Sequence, residues 1–403
     1  MDEVSILAVW LGEVRVGTLV RLPDDRITFA FDPGYAARTD RPTLSLGFKA
    51  EGGGLVTPPL TKTRLPPYFA NLLPEGPLRE YLAARVGTKP VRDFPLIAAL
   101  GGDLPGNVRV IPEGRGPLHP APEDSPAGTD RPLKFSLAGV QLKFSALEAA
   151  AGGLTIPASG VGGDWILKLP SATYAEVPVH EHAMLELARA MGLDAPFSRL
   201  VDRDEIAGLP SDIPMVERRV LAIRRFDRVD GRRIHTEDFA QVFRVYPADK
   251  YAKASSESLA RVLLAEAGIE AVLELVRRLV FTVLIGNGDA HLKNWSLLYR
   301  DSIAPMLAPL YDLVGTVVYL PGDRLGLSLG GTKVMQEIGL DRMARFADRV
   351  GVPVQRVVDV TLETVAAFRV AWRNLTPMQV ELPAGHRAAL EAHFDSLPLM
   401  RLG

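Results

Sequence analysis

The spacing of apolar residues changes after about residue 255, and this change limits the folds that the chain can adopt. Before it, short apolar runs such as Ser5 to Trp10, Val14 to Leu22 and Ile27 to Phe31 are separated by Gly, Pro and Asp residues, a pattern that predicts β-strands and turns. After it, Gln336 to Val350 and Val354 to Trp372 keep the spacing of amphipathic helices. We therefore expect an α+β fold with a β-rich amino-terminal half and an all-helical carboxy-terminal lobe. This order of elements identifies no function.

The length and one proline-rich stretch predict the domain organisation. A chain of 403 residues is longer than one hydrophobic core usually serves. The segment from Pro112 to Pro132 contains six prolines, counting both ends, which is the composition of an extended linker or an exposed loop. We expect a small β-rich module at 1–111, a linker at 112–132, a β-rich subdomain at 133–240 and a helical lobe at 241–403.

The composition excludes several classes of protein. Hydrophobic residues make up 47% of the chain and charged residues 23%, as in globular rather than disordered proteins. Without Cys, the chain has no disulfide, thiolate zinc site or cysteine nucleophile, and it suits a reducing compartment. The opening Met1-Asp2-Glu3 does not resemble a secretory signal, and the apolar stretch Leu279 to Ile285 is too short to span a bilayer. We expect a cytoplasmic protein without membrane contact, and its net charge of -2 gives no general attraction to nucleic acid.

A candidate catalytic loop follows a long apolar helix pattern. In the segment from Asn287 to Asn294, Asp289 precedes Asn294 by five positions. In protein kinases this spacing belongs to the catalytic loop, where the Asp accepts the proton of the substrate hydroxyl and the Asn holds magnesium. Because Asp and Asn are also common in turns, plain turn chemistry is the alternative for an isolated match.

The residues after this loop support a magnesium site. Trp295 to Tyr299 and Met306 to Tyr311 are apolar runs with turn residues between them, so we expect a β-hairpin whose turn centres near Ser302 or Ile303. Antiparallel pairing about that centre places Asn294 almost opposite Asp312. Two oxygen ligands at one end of the ladder suit magnesium, which takes few protein carboxylates and keeps positions for water and phosphate. A capped hairpin with solvated Asp and Asn is the alternative.

A buried ion pair is predicted between a strand and a helix. Lys168 lies inside the apolar run Trp165 to Leu169 and therefore needs a partner. Helical spacing over Val179 to Met191 places Glu181 on an apolar face. In protein kinases a strand Lys paired with a helix Glu orients the side chain that binds the ATP phosphates. A surface Lys and a Glu at the edge of the apolar stripe are the alternative.

With these residues assembled, the sequence resembles the HipA family of toxin kinases over most of its length. Phe69 to Gly76 is similar to the amino-terminal signature of the family, and Ser136 to Lys143 resembles the glycine-containing loop that covers the phosphates. Arg225 to Arg228 resembles the hinge that contacts adenine. Asn287 to Asn294 and Leu310 to Asp312 are similar to the catalytic and metal-binding motifs.

The resemblance implies a bilobal protein-kinase-like fold and an ATP- and magnesium-dependent serine/threonine kinase. Asp289, Lys168 and Glu181 would be catalytic, Asn294 and Asp312 would hold the metal, and Ser136 would be autophosphorylated. Relatives often carry Glu where this chain has Arg224, so only backbone contacts from that position to adenine are expected. For His291 a local hydrogen bond remains the alternative to a nucleotide contact. The nucleotide-binding residues implied by the family are Ser136, Gly139, Gln141, Lys143, Lys168, Arg225, Phe226, Asp227, Gln241 and His291.

The family also implies partners that no residue of this chain reveals. They are a HipB-like helix-turn-helix antitoxin on a separate chain, DNA reached only through that antitoxin, and an aminoacyl-tRNA synthetase as the protein substrate. Two other classes stay open: a small-molecule or lipid kinase, whose catalytic loops also resemble this one, and a catalytically silent corepressor subunit. Seven arginines between Arg218 and Arg233 form either a phosphate- or DNA-facing patch or a solvated β-ribbon face.

Overall fold

The computed structural model describes residues 5–113, 142–148, 153–156, 162–209, 216–375 and 380–401. Almost all of the predicted linker at 112–132 lies outside these ranges, as do Ser136, Gly139 and Gln141. Within the described ranges, no helix combines the length and the apolar character that crossing a membrane requires.

An antiparallel sheet in the order β4-β3-β2-β1-β5 forms the amino-terminal module. The three predicted strand runs are confirmed as its central strands. Four helices that we did not predict share its core, in which Phe29, Phe48 and Phe69 are fully buried. The strands are β1 (Ile6–Leu11), β2 (Val14–Arg21), β3 (Arg26–Phe31), β4 (Thr61–Lys62) and β5 (Val108–Pro112), and the helices are α1 (Pro33–Ala37), α2 (Pro67–Ala70), α3 (Gly76–Val86) and α4 (Asp93–Leu100).

A second sheet, in the order β10-β7-β6-β8-β11-β9, lies in the middle of the chain. Its strands are β6 (Lys143–Glu148), β7 (Leu154–Thr155), β8 (Trp165–Lys168), β9 (Ser198–Asp202), β10 (Ile206–Ala207) and β11 (Arg219–Arg224). The predicted helix is confirmed as α5 (Val177–Ala190), which packs against β9 and β11. Antiparallel pairing places Lys143 directly opposite Lys168 on the neighbouring strand.

The rest of the chain is mainly helical and contains the largest hydrophobic core of the described residues. The central helix α8 packs against α7 and α10, and the buried face of α5 joins the same core. A three-stranded sheet in the order β14-β15-β16 lies beside these helices. The elements are β12 (Arg228–Val229), β13 (Arg232–Arg233), β14 (His235–Asp238), β15 (Ser296–Tyr299), β16 (Met306–Leu307), α6 (Phe239–Val242), α7 (Ser256–Ala267), α8 (Ile269–Leu284), α9 (Leu340–Val350), α10 (Val354–Asn374) and α11 (Ala384–Ser396).

A buried carboxyl group joins the amino-terminal module to the three-stranded sheet. Glu237 on β14 is only 1% exposed. Its oxygens accept hydrogen bonds from the Ser45 hydroxyl, from the Leu46 backbone N–H at 2.9 Å and from the Tyr299 hydroxyl at 2.5 Å. Burial raises the pKa of Glu237 to about 7 despite these donors. The docking of the module is therefore coupled to the protonation of this group.

This coupling predicts a pH dependence of stability. The pKa of Glu237 is above the ordinary value of 4.5, so the folded protein keeps a proton that the unfolded chain releases. The stabilisation is complete below the unfolded pKa and is lost as the pH rises through the folded pKa, with a span of roughly 2–4 kcal/mol. We expect the melting temperature of the native chain to fall, relative to Glu237→Gln, between pH 5 and pH 8. Parallel profiles for the two proteins would contradict the coupling.

Candidate active site

The centre of the site is a lysine held between two carboxylates. Lys168 ends β8 and is 4% exposed. Its ammonium group donates to Glu181 on α5 and to Asp312 in the segment after β16. The pair of Lys168 and Glu181 confirms the predicted contact between strand and helix. Because Asp312 joins them, the site connects the second sheet, α5 and the helical lobe.

A second lysine meets the same carboxylate. Lys143 lies opposite Lys168 across the β6-β8 pair, and its Nζ donates to the two carboxylate oxygens of Asp312 at 2.9 and 3.1 Å. Lys143 is more exposed than Lys168, with 37% against 5% of the side chain accessible. Two adjacent ammonium groups thus point to one acidic position, an arrangement that also suits a polyanion such as a chain of phosphates.

The charges in this cluster shift one another's pKa. Burial opposes the charged form of Lys168, but Asp312 and Glu181 outweigh it and raise the pKa of Lys168. Burial likewise opposes ionisation of Asp312, but Lys143 and Lys168 hold the pKa of that carboxyl well below its usual range. Burial raises the pKa of Glu181, and Lys168 only partly compensates for it. Of the two carboxyl groups, Asp312 is therefore the one whose ionised form the cluster favours more strongly.

The catalytic-loop candidate begins where α8 ends, and two glycines fix its path. Gly286 has a positive φ of 67°, and a Cβ there would lie 2.3 Å from the Val317 side chain. A Cβ on Gly288 would lie 2.6 Å from the Arg324 carbonyl oxygen. The Gly288 N–H donates to the Thr316 hydroxyl at 2.7 Å. These contacts hold the backbone just before Asp289, and sequence reasoning did not identify Thr316.

Asp289, which follows Gly288 in this loop, is exposed to solvent. Its backbone N–H donates to Asn287 Oδ1 at 3.0 Å, and its carboxylate accepts a hydrogen bond from the Tyr251 hydroxyl. The atoms crowded around the carboxylate raise its pKa by dehydrating it, and the nearby charge of Asp312 adds to this effect. The prediction did not identify Tyr251, because nothing in the sequence near residue 251 pairs it with Asp289.

The predicted hairpin is present and brings the two proposed metal ligands together. β15 pairs antiparallel with β16, with Leu298 opposite Met306, which puts the centre of the turn at Ser302, one of the two predicted positions. The chain then bends at Asp312, whose φ is 53°. As a result Asn294 Nδ2 donates to Asp312 Oδ2 at 3.3 Å.

The donors at this point fit magnesium. Asp312 would supply carboxylate oxygens and Asn294 an amide oxygen, both of which are hard donors. In this structure Asn294 Oδ1 accepts a hydrogen bond from the His291 N–H at 3.2 Å and Nδ2 faces Asp312, so the amide would turn over to bind the ion. The described residues contain no group of three or more His, Cys, Asp or Glu side chains that could hold a metal.

The hinge candidate is held by ion pairs within the protein. Arg225 donates to Asp227 at 2.8 Å through two of its nitrogens, and both side chains are buried. Arg228 continues the network to Asp103 at 2.9 Å. Phe226 lies against Tyr311, with ring centroids 5.8 Å apart. The hinge candidate therefore borders the segment of the metal-ligand candidate Asp312 through Phe226, while Arg225 and Asp227 point into the network.

Two further predicted nucleotide residues have clear surroundings. Gln241 caps α6 with Asp238, and its Nε2 donates to the Tyr68 carbonyl oxygen at 3.1 Å, so the amide is engaged in protein contacts. His291 is 6% exposed, its ring packs edge-on against Tyr251, and burial lowers its pKa to about 3. Its Nδ1 has no hydrogen-bond partner within the described ranges. His291 is thus a neutral imidazole with an open acceptor or donor position.

The arginines between Arg218 and Arg233 do not form one solvated face. Arg218 pairs with Asp202 at 2.9 Å, and Arg219 pairs with Glu381. Arg225 and Arg228 belong to the buried network described above, and Arg233 donates to the Leu104 carbonyl oxygen at 2.7 Å. Of the seven, Arg224 and Arg232 are the exposed ones outside these contacts. The arginines that make contacts mainly link this part of the chain to other segments, as Arg219 does to Glu381 and Arg233 to Leu104.

Comparison with known proteins places this geometry in a family. Residues 7–111 match the model of the HipA N-terminal domain, and residues 135–372 match that of the HipA-like C-terminal domain. The chain is 45% identical, over 100% of its length and 99% of the relative, to a Sinorhizobium fredii protein named "Putative kinase Y4dM". It is 23% identical, over 73% of each chain, to the serine/threonine-protein kinase toxin HipA of Shewanella oneidensis.

A solved structure has the same fold. It is the complex of HipA, HipB and operator DNA from the Shewanella oneidensis MR-1 toxin-antitoxin system, with a TM-score of 0.75 at 20% identity. The match covers 98% of this chain and 96% of that one. The bilobal protein-kinase-like fold expected from the sequence is thereby confirmed. With both family models matched and a relative at 45% identity along the whole chain, this protein belongs to the HipA family of kinases.

Proposed function

We propose that this chain is an ATP- and magnesium-dependent serine/threonine-protein kinase, acting in the cytoplasm as the toxin of a HipA/HipB-like toxin-antitoxin pair. One observation carries the proposal: Lys168 contacts both Glu181 and Asp312, and Asp312 contacts Asn294 of the loop that presents Asp289. Chance pairing of turn residues does not explain three such contacts. A silent corepressor would have no use for a buried lysine among carboxylates, which is costly to maintain.

Each side chain then has a chemical role in phosphoryl transfer. When ATP binds, the ammonium groups of Lys168 and Lys143 would release Asp312 and bind the phosphates instead. Glu181 would keep Lys168 in place. Asp289 orients the attacking Ser or Thr hydroxyl and accepts its proton. Asp312 and Asn294 would hold magnesium, which when bound neutralises charge on the transferring phosphoryl group. Phe226, together with the backbone at Arg224 to Asp227, would border adenine, and Gly139 and Gln141 would cover the phosphates.

The toxin role and the partner rest on the relatives. The structure of similar fold is a HipA that binds HipB and operator DNA, so we propose a HipB-like antitoxin as partner and DNA contact through it. An aminoacyl-tRNA synthetase is the proposed substrate class. A small-molecule kinase remains the second candidate, because the loop of Asp289 would serve a small alcohol equally well.

Incubating the purified chain with γ-labelled ATP and magnesium tests the kinase assignment. We expect self-labelling, and peptide mapping should find the phosphate on Ser136, where nearly two negative charges next to the ATP site would weaken nucleotide binding. A Ser136→Ala variant is the matched control. ATP hydrolysis without self-labelling would favour the small-molecule kinase, and absence of ATP binding would favour the corepressor.

A growth experiment tests the toxin role. Expression without an antitoxin should arrest cells, because a kinase that modifies a synthetase halts translation. The Asp289→Asn variant should restore growth at an equal protein level measured by immunoblot. Arrest that persists in this variant would point to toxicity through binding alone.

A further inference from the structure

Two residues of the amino-terminal module reach into the catalytic loop. Glu75 precedes α3, and its Oε1 accepts a hydrogen bond from Lys293 Nζ at 2.5 Å. The same ammonium group donates to the Asn71 carbonyl oxygen at 3.2 Å. Lys293 lies between Asp289 and the proposed metal ligand Asn294. The module therefore contacts the loop between its two candidate functional residues and not at its ends.

The same carboxylate also holds the segment on the other side of the loop. Lys250 Nζ donates to Glu75 Oε2 at 3.1 Å. The Lys250 carbonyl oxygen accepts a hydrogen bond from the Leu292 N–H at 3.1 Å, inside the catalytic loop. Each oxygen of Glu75 thus accepts a hydrogen bond from a lysine, and the two lysines belong to different segments of the helical lobe.

The residue after Lys250 makes the contact with the candidate base. The Tyr251 hydroxyl donates to Asp289, and the Tyr251 ring packs edge-on against His291 at 4.9 Å between centroids. Lys333 Nζ donates to the Tyr251 carbonyl oxygen at 3.3 Å. Tyr251 occupies one oxygen of Asp289, so it fixes the rotation of the carboxylate that must face the substrate hydroxyl.

The charged groups of Glu75, Lys250 and Lys293 are partly buried, unlike those of ordinary surface ion pairs. The exposed fractions of the side chains are 27% for Glu75, 18% for Lys250 and 15% for Lys293. Partly shielded pairs keep more of their Coulomb energy than exposed ones, whose median contribution is about 0–1 kcal/mol. A charge network of this kind can hold a loop in one geometry.

We propose that Glu75 is a positioning residue for the catalytic loop, acting through Lys293 directly and through Lys250 and Tyr251 on Asp289. This inference rests on the proposed kinase function. The amino-terminal module would then contribute to catalysis, because its Glu75 would position the catalytic loop of the helical lobe. A catalytic loop that shifts by about 1 Å loses up to roughly a hundredfold in rate, so loss of the Glu75 charge should be visible in turnover.

The matched variants are Glu75→Gln and Glu266→Gln. Glu266 on α7 pairs with Lys49 of the module at 2.7 Å, so its loss also weakens docking of the module but leaves the loop contacts intact. We expect Glu75→Gln to lower the self-labelling rate at saturating Mg-ATP about 10- to 100-fold, with the affinity for Mg-ATP unchanged. Glu266→Gln should retain the native rate. Equal rates for the two variants would overturn the inference.

Tyr251→Phe adds a test that does not depend on the fold of the module. Tyr251 lies outside the module, and because it is 45% exposed its substitution should leave the core intact. If both residues act on one loop geometry, the loss in the double variant should be clearly smaller than the product of the two single losses. Multiplying losses would show independent roles and refute the relay through Lys250.

Hydrogen exchange separates failure of this inference from failure of the kinase assignment. Amides of 288–294 should exchange faster in Glu75→Gln than in Glu266→Gln, whether or not the native chain transfers phosphate. If the native chain fails to self-label, the proposed function falls while this readout still judges Glu75. Unchanged exchange across 288–294 would leave Glu75 as a docking contact only and overturn the proposal.

Discussion

Asp289→Asn should lower the rate of phosphoryl transfer about 10²- to 10⁴-fold, the usual contribution of a positioned general base. An amide has the same shape as the carboxylate and keeps the acceptor for the Tyr251 hydroxyl, but it cannot take the proton of the attacking hydroxyl. Asp289 makes no hydrogen bond to Lys168, Lys143 or Asp312 in the described structure. We therefore expect the affinity for Mg-ATP to be retained.

Asp312→Asn is the contrasting variant. Asp312 is the shared partner of Lys143 and Lys168 and the carboxylate of the proposed metal site. Its loss would remove a ligand of the proposed magnesium ion and the carboxylate that Lys143 and Lys168 share, although Lys168 would keep Glu181. Both transfer and Mg-ATP binding should therefore fall. Calorimetric titration of Mg-ATP into the two variants tests this difference. Equal loss of binding in both would contradict separate roles for the two carboxylates.

Those parts of the site that depend on local chain geometry could be predicted from the sequence. Asn294 and Asp312 are the ends of one hairpin, so the position of its turn was enough to bring them together. Lys168 and Glu181 could be paired because each would be costly to bury alone. In both cases a short connection or a desolvation penalty leaves few alternatives.

Contacts between distant segments could not be predicted in this way. Lys143 and Asp312 are 169 positions apart, and Glu75 and Lys293 are 218 apart. Such pairs depend on how the lobes dock, which the spacing of apolar residues does not specify. Arg228 and Asp103 illustrate the same limit, since 125 positions separate them and only the fold shows that they pair.

Within the amino-terminal module the helices were missed for a different reason. Short apolar runs before residue 111 were taken together as strands, yet α3 ends at Gly87, whose φ is 73° and whose N–H bonds back into the helix. Gly after a helix is a recognisable stop signal. The domain boundaries at 111, 132 and 240 stay predictions, because most of the linker lies outside the described residues.

Lys168→Met should abolish transfer and also destabilise the fold by about 3–5 kcal/mol, the usual result of leaving one partner of a buried ion pair alone. Glu181 is 1% exposed and would lose its ammonium partner, whereas Asp312 would keep Lys143. The destabilisation therefore depends chiefly on Glu181, and Glu181→Gln in the same chain should recover most of the stability. Activity should stay lost, because the double variant still lacks the Lys168 ammonium group that would bind the phosphates together with Lys143.

The pH dependence of Lys168→Met gives a sharper test. Burial already raises the pKa of Glu181 in the native chain, and removing Lys168 should raise it further. A carboxyl group with a raised folded pKa contributes stability that is present below its unfolded pKa and is lost as the pH rises. Denaturant unfolding should thus show a larger deficit for Lys168→Met at pH 8 than at pH 5, and no such trend for Lys168→Met with Glu181→Gln. A deficit independent of pH would mean that lost packing, rather than an unpaired carboxylate, destabilises the variant.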